Sequence, residues 1–157
     1  MLEYHETIEC IEVALDAKSP YTAGLSKSVS DMVEILCRLL GLNRMMHIAS
    51  HLHDIGKTQI PYEILSKDGP LTEEEFEIMK SHTTLGYNIC MKDLRLRPYA
   101  EGALYHHEAL NGTGYPQGLK KEDIPFVARR IRNILQMNMM HWLQNAIIRL
   151  TYIFLKP

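Results

Sequence analysis

The chain has 157 residues, a formal net charge of −2 at pH 7 and a pI near 6.4. That length suits one domain with a real core, and the charge provides no basic field for a nucleic-acid polymer. Three cysteines, Cys10, Cys37 and Cys90, are scattered and odd in number, which excludes a disulfide framework or a cysteine metal knuckle and fits a reducing cytoplasm. The opening residues lack the basic and apolar regions of a signal peptide. The apolar run at 147–155 is broken by Arg149 and too short for a membrane span.

Residues 7–18 carry Ile8, Ile11, Val13, Ala14 and Leu15, a helical rhythm ended by Ser19-Pro20. Residues 21–40 predict a longer helix, with Leu25, Val29, Met32, Val33, Leu36, Leu39 and Leu40 in one stripe and Gly41 as its stop. A third helix is expected over about 44–55, stopped by Gly56. Residues 59–65 form a short element, with Pro61 suited to a first helical turn. Lys67-Asp68-Gly69-Pro70 is a turn. Thr72-Glu73-Glu74-Glu75 is a capping box: the Thr72 hydroxyl accepts from a first-turn N–H and Glu75 reaches back. It opens a helix through Met79, and another follows over about 83–92. Residues 98–108 predict a helix with Ala100, Ala103 and Leu104 inward. Asn111-Gly112-Thr113-Gly114-Tyr115-Pro116 is a glycine-punctuated loop, and a last helix starts at about 124–128. No segment alternates with period two, so the fold class is all-α.

The chemistry centres on His53-Asp54-Ile55-Gly56-Lys57, at the end of the apolar third helix. Imidazole beside carboxylate suits a first-row divalent metal, and Lys57 adds a cation suited to phosphate. A lone histidine at a helix end is usually a capping or half-buried polar group. Here three such points recur at helix ends: His53-Asp54, then His82 between two helices, then His106-His107 before the glycine loop. Adjacent histidines do not easily face one atom, so His106-His107 suggests two metals side by side, the arrangement used for phosphate-ester hydrolysis.

These segments, with His106-His107-Glu108 followed by Asn111-Gly112-Thr113-Gly114-Tyr115-Pro116, closely resemble the HD-GYP family over about residues 7–134. Pro70-Leu71-Thr72-Glu73-Glu74-Glu75-Phe76 and Gly118-Leu119-Lys120 fit the same pattern. The resemblance implies an HD-superfamily helical bundle and a bacterial signalling hydrolase, a phosphodiesterase that opens cyclic di-GMP by metal-activated hydroxide. It makes His53, Asp54, His82, His106 and His107 the metal ligands, with Asp54 and Lys57 catalytic. Lys57 contacts the scissile phosphate, and Gly114, Tyr115 and Pro116 lie beside the substrate. The cofactors implied are two divalent ions, iron or manganese. The implied partners are cyclic di-GMP and, through the Tyr115 loop, diguanylate cyclase (GGDEF) proteins.

Two departures bear on activity. The family has histidine, a metal ligand, where Leu25 stands and arginine where Ser28 stands. After Ile134 the family continues Ala-Asp and then a Tyr/Phe-Asp-Ala motif, its first Asp also a ligand; this chain reads Leu135-Gln136-Met137-Asn138-Met139-Met140-His141-Trp142. Methionine and tryptophan have single codons. A frame starting on the third base of the Leu135 codon therefore permits Ala-Asp-Glu-Tyr-Asp-Ala-Leu, the missing motif. The expected organisation is a partial HD-GYP domain over 5–134 and an out-of-frame tail over 135–157, after a frameshift near the Ile134 codon. The bundle is then incomplete at its C-terminal end, and the tail's apolar residues are not a designed core. One metal position loses two ligands; the other, built from His82, His106 and His107 around Asp54, survives. Two further readings stay open: an impaired HD-GYP module that binds nucleotide or partners, and a non-functional truncated product.

Overall fold

The computed structural model describes residues 2–18, 25–41 and 44–139. Among them the chain is helical and has no strand, only an isolated antiparallel bridge between Asn111 and Lys120. The order is α1 (Leu2–Asp16), α2 (Leu25–Leu40), α3 (Arg44–Leu52), a 3-10 turn (Ile55–Gln59), α4 (Tyr62–Leu65), α5 (Glu73–Lys80), α6 (His82–Met91), a second 3-10 turn (Arg97–Tyr99), α7 (Ala100–Tyr105) and α8 (Phe126–Met139). No helix among the described residues is long and apolar enough to cross a membrane.

α3 is the central element. It packs on α1, α2, α7 and α8 and feeds both apolar cores. Leu52 joins Ile8, Ile55, Cys90 and Ala100, while Met46 joins Val33, Leu36 and Ile134. Fully burying such side chains contributes roughly 1.5–3 kcal/mol each. With both cores anchored on one short helix, the turn that follows it is fixed in place, and that turn carries His53 and Asp54.

Local chemistry shapes the other elements. The Thr72 hydroxyl accepts from the Glu75 N–H at 3.2 Å, and the Glu75 carboxylate accepts from the Thr72 N–H at 2.7 Å, so the capping box forms as read. Ala100, Ala103 and Leu104 are buried. Three expectations shift. Pro61 caps α4 from outside, and that helix begins at Tyr62. The α2 stripe runs out early, leaving Leu39 73 % exposed. The third helix ends at Leu52, ahead of Gly56, so Gly56 is no helix stop. It sits in the 3-10 turn, packed so closely on α6 that a Cβ there would lie 1.8 Å from the His82 carbonyl oxygen. Glycine is needed for that approach. Of the tail read as out of frame, residues 135–139 continue α8 and Leu135 packs on the second core; residues 140–157 lie outside the described residues, as do 21–24, where the second helix was expected to begin.

Candidate metal centre

Three segments converge on one point. The turn after α3 supplies His53 and Asp54, α6 opens with His82, and His106-His107 follow the end of α7. One donor atom from each of Asp54, His82, His106 and His107 lies within 4.8 Å of all the others. Asp54, His82 and His106 are buried and His107 is partly so.

The backbone sets the ring tautomers. The Nδ1–H groups of His53, His82 and His106 donate to the carbonyls of Ser50 (2.6 Å), Met79 (2.7 Å) and Ala103 (2.9 Å). A carbonyl only accepts, so each neutral ring keeps its proton on Nδ1 and presents Nε2 as a lone pair. His82 Nε2 and His106 Nε2 then face each other at 3.2 Å. Asp54 Oδ1 lies 3.3 Å from the first and 3.6 Å from the second. This oxygen is buried and has no hydrogen-bond partner. Opposed lone pairs around an orphaned carboxylate oxygen repel unless a cation stands among them, so the donor set fits a divalent first-row ion. His53 lies on the other side of the same carboxylate, with Nε2 3.2 Å from Asp54 Oδ2. Lys57 Nζ donates to that oxygen at 2.7 Å.

The charges follow. Burial opposes ionisation of Asp54, but the charges of Lys57 and His53 beside it outweigh it and hold the carboxyl well below its usual range. Burial pushes His82 down to about 4 and lowers His106. Burial, followed by the His106 and His82 rings, lowers His107 far further. For His53, burial is overcome by Asp54, and its pKa is raised. Near neutral pH, then, the three rings around Asp54 Oδ1 are held as neutral ligands beside an anion.

The adjacency argument for two metals needs correction. His106 and His107 do face one point, with ring centroids 4.2 Å apart, because the chain leaves the α7 helix between them and the fixed angular step no longer applies. His53 stands apart from that group, on the far oxygen of Asp54. Leu25, where the family histidine is missing, is the first residue of α2.

The glycine loop closes over His107. The Tyr115 ring stacks on the His107 ring at 4.6 Å and 17°, and Phe76 of α5 meets Tyr115 edge-on at 6.2 Å. Gly114 lets the loop fold back, since a Cβ there would meet the Ala109 nitrogen at 2.2 Å. Pro116 follows a cis peptide bond. The fastening is Glu108, fully buried, whose two carboxylate oxygens accept from the Gln117 N–H (2.7 Å) and the Leu119 N–H (2.8 Å). Arg132 of α8 donates to the His107 carbonyl at 2.9 Å. Sequence reading gave Glu108 and Arg132 no role, because loop amides and carbonyls leave no residue pattern.

The family model for the HD domain matches residues 9–137. The chain belongs to the HD domain family, as an HD-GYP member. It is 54% identical over 82 residues to a cyclic di-GMP phosphodiesterase of Thermotoga maritima, covering 51% of this chain and 22% of that one. It is 38% identical over 132 residues to the 3'3'-cGAMP-specific phosphodiesterase 3 of Vibrio cholerae, covering 79% and 29%. It is 35% identical over 130 residues to the cyclic di-GMP phosphodiesterase response regulator RpfG of Xanthomonas campestris pv. campestris, covering 79% and 34%. This HD-GYP chain thus spans between 22% and 34% of the length of these relatives.

Proposed function

We propose that the chain is the HD-GYP unit of a metal-dependent phosphodiesterase that opens a cyclic dinucleotide, cyclic di-GMP foremost. The observation that carries this reading is the buried group of Asp54, His82, His106 and His107, whose Nε2 lone pairs oppose one another around an unpartnered carboxylate oxygen. Those four residues would hold one ion. His53 and Asp54 Oδ2 would begin a second position, which needs a donor where Leu25 stands and another from beyond Ile134. A divalent iron or manganese ion, when bound, makes water a nucleophile near neutral pH and offsets charge on the phosphate.

The chain's own residues do the rest. Asp54, with Oδ1 near His82 and His106 and Oδ2 near His53, would serve both positions. Lys57, held at the Asp54 edge and 15 % exposed, offers its ammonium to a phosphate oxygen arriving at the site. The carbonyl-anchored rings keep their donors aimed without reorganisation. Tyr115, stacked on His107, walls the site on the loop side, where the substrate lies and GGDEF proteins dock. Three free cysteines fit work in the cytoplasm. Relatives named for both cyclic di-GMP and 3'3'-cGAMP support a cyclic dinucleotide as substrate class.

A second reading is a binding module without turnover, favoured by Leu25. The codon argument supports residues 135–157 as an out-of-frame tail; resequencing that finds no neighbouring frame encoding the motif overturns it. The deciding experiment is hydrolysis of cyclic di-GMP with manganese or iron(II), by the chain as it stands and by a Leu25→His version carrying the restored frame. Turnover by the repaired version alone supports the phosphodiesterase reading and blames the two departures. Turnover by neither, with nucleotide bound, supports the binding module.

A further inference from the structure

A second histidine cluster lies outside the HD centre. His47 and His51 stand one turn apart on α3, on one face of the helix, and His5 of α1 packs against both. The ring centroids are 4.7 Å apart for His47–His51, 4.9 Å for His5–His47 and 5.1 Å for His5–His51. One donor nitrogen from each ring lies within 4.8 Å of the other two. His47 and His51 are buried, 8 % and 5 % exposed.

Hydrogen bonding inside the cluster is incomplete. The His51 Nδ1–H donates to Glu12 Oε2 at 2.7 Å, so His51 Nε2 carries a lone pair. It faces His47 Nε2 at 3.0 Å. At most one proton lies between those two atoms. His5 Nε2 is buried without a partner, as is Glu12 Oε1. Unsatisfied buried groups are expensive, about 1–3 kcal/mol each. Two orphaned atoms around three imidazoles, with Glu12 itself only 3 % exposed, call for a ligand that accepts several lone pairs at once.

We propose that His5, His47 and His51 form a zinc site that pins α1 to α3, with Glu12 as the carboxylate that orients His51. Three imidazoles with a carboxylate behind one of them suit zinc, which takes histidine nitrogens at about 2.0–2.1 Å in tetrahedral geometry. Tetrahedral angles at that bond length put two donor nitrogens about 3.3 Å apart, close to the 3.0 Å between His47 and His51. The fourth position is open to water; Glu9 Oε1 lies 3.8 Å from His5 Nδ1, the other nitrogen of that ring. The site is structural. It joins the first helix to the central one, two residues before His53.

Zinc stoichiometry by equilibrium dialysis and elemental analysis, on the full chain and on His5→Gln, tests it. His5→Gln should hold one zinc equivalent fewer and lose the part of the zinc-induced rise in unfolding midpoint that the wild type shows. Glu12→Gln should keep the site with about 10–100-fold weaker zinc affinity. Equal stoichiometry in wild type and His5→Gln overturns the proposal. Nitrogen-15 imidazole spectra of the wild-type chain give a readout that no variant's folding compromises. Added zinc should shift the ring nitrogens of His5, His47 and His51 together, and unmoved signals from those rings overturn the proposal as well. Neither result depends on turnover, so loss of phosphodiesterase activity leaves this site standing, and loss of this site leaves the HD centre standing.

Discussion

The two histidine clusters of this bundle are built in opposite ways. The HD centre gathers residues from the turn after α3, the start of α6 and the end of α7, and the rings of His53, His82 and His106 are each fixed by a carbonyl three residues back. The α1–α3 triad takes two rings from one helix face and one from a neighbour, and fixes only His51 through a side chain, Glu12. A centre assembled from helix ends depends on how several elements dock; one assembled from a helix face depends on a single helix pair. The same residue type should therefore respond differently to distant changes at the two places.

Asp54→Asn should draw the sharpest line between them. It removes the anion that balances Lys57 and His53 and leaves a neutral amide beside His82 and His106. Breaking a buried charge pair costs about 3–5 kcal/mol. Metal analysis should show the HD centre empty and the triad's zinc unchanged; loss of both would mean that they are one unit. Gly56→Ala should come next. The new Cβ would collide with the His82 backbone, so α6 must shift, at about 3 kcal/mol of overpacking. His82 should leave the centre while α1 and α3 keep their contact. Urea unfolding and metal stoichiometry on the same sample check both parts.

The HD centre was legible and the triad was not, for a physical reason. His53-Asp54, His82 and His106-His107 sit in punctuated sequence, at helix ends marked by glycine, by a capping box and by a glycine loop, and the resemblance tied them together. His47 and His51 stand inside an apolar helix, where a histidine pair reads as ordinary facing, and nothing in the sequence brings His5 to them. That contact needs the packing of α1 on α3. Helix identities were legible from apolar period, but boundaries were not: the long third helix of the sequence reading is a nine-residue helix followed by a 3-10 turn. The turn exists because α6 packs against it at Gly56, a tertiary cause. Glu108 stood in the quoted motif, but its hold on the Gln117 and Leu119 amides is visible only once the loop has folded back.

Glu108→Gln comes third in size. The charge and one of the two acceptor oxygens are lost, so the loop should loosen at about 2 kcal/mol. Under the proposed function, KM for the dinucleotide should rise more than kcat falls, with metal content intact at both clusters. Acid should then act on both clusters alike. Burial holds His82 and His47 at about 4, below the ordinary 6.5. The unfolded chain takes up these protons first, so their contribution to stability is complete above pH 6.5 and is lost as pH falls towards 4. Thermal melts of metal-free protein across that window should show a falling midpoint. His47→Gln should flatten the fall without removing it, since His82 still titrates; an unchanged slope would show that His47 is not held neutral by its burial.

The smallest effect should come from a side chain that ties the two regions together. Lys18, just past the end of α1, donates from Nζ to the carbonyls of Lys57 (3.3 Å), Thr58 (2.7 Å) and Ile60 (2.8 Å). Those carbonyls belong to the 3-10 turn that follows Asp54 and to the residue closing it, so α1 is held to the HD turn at one end while His5 meets α3 nearer the other. Lys18→Met keeps the aliphatic stem and removes three charge-assisted bonds, each of them partly open to water, so the loss should be about 1–2 kcal/mol. If α1 is held at two points, the points share the work. In zinc-loaded protein the triad should keep α1 in place, and Lys18→Met should cost less than in metal-free protein. If the triad binds no metal, the two measurements should agree. A difference in the unfolding midpoint between those two states of one variant therefore measures how far the staple on α1 steadies the turn that carries the HD centre.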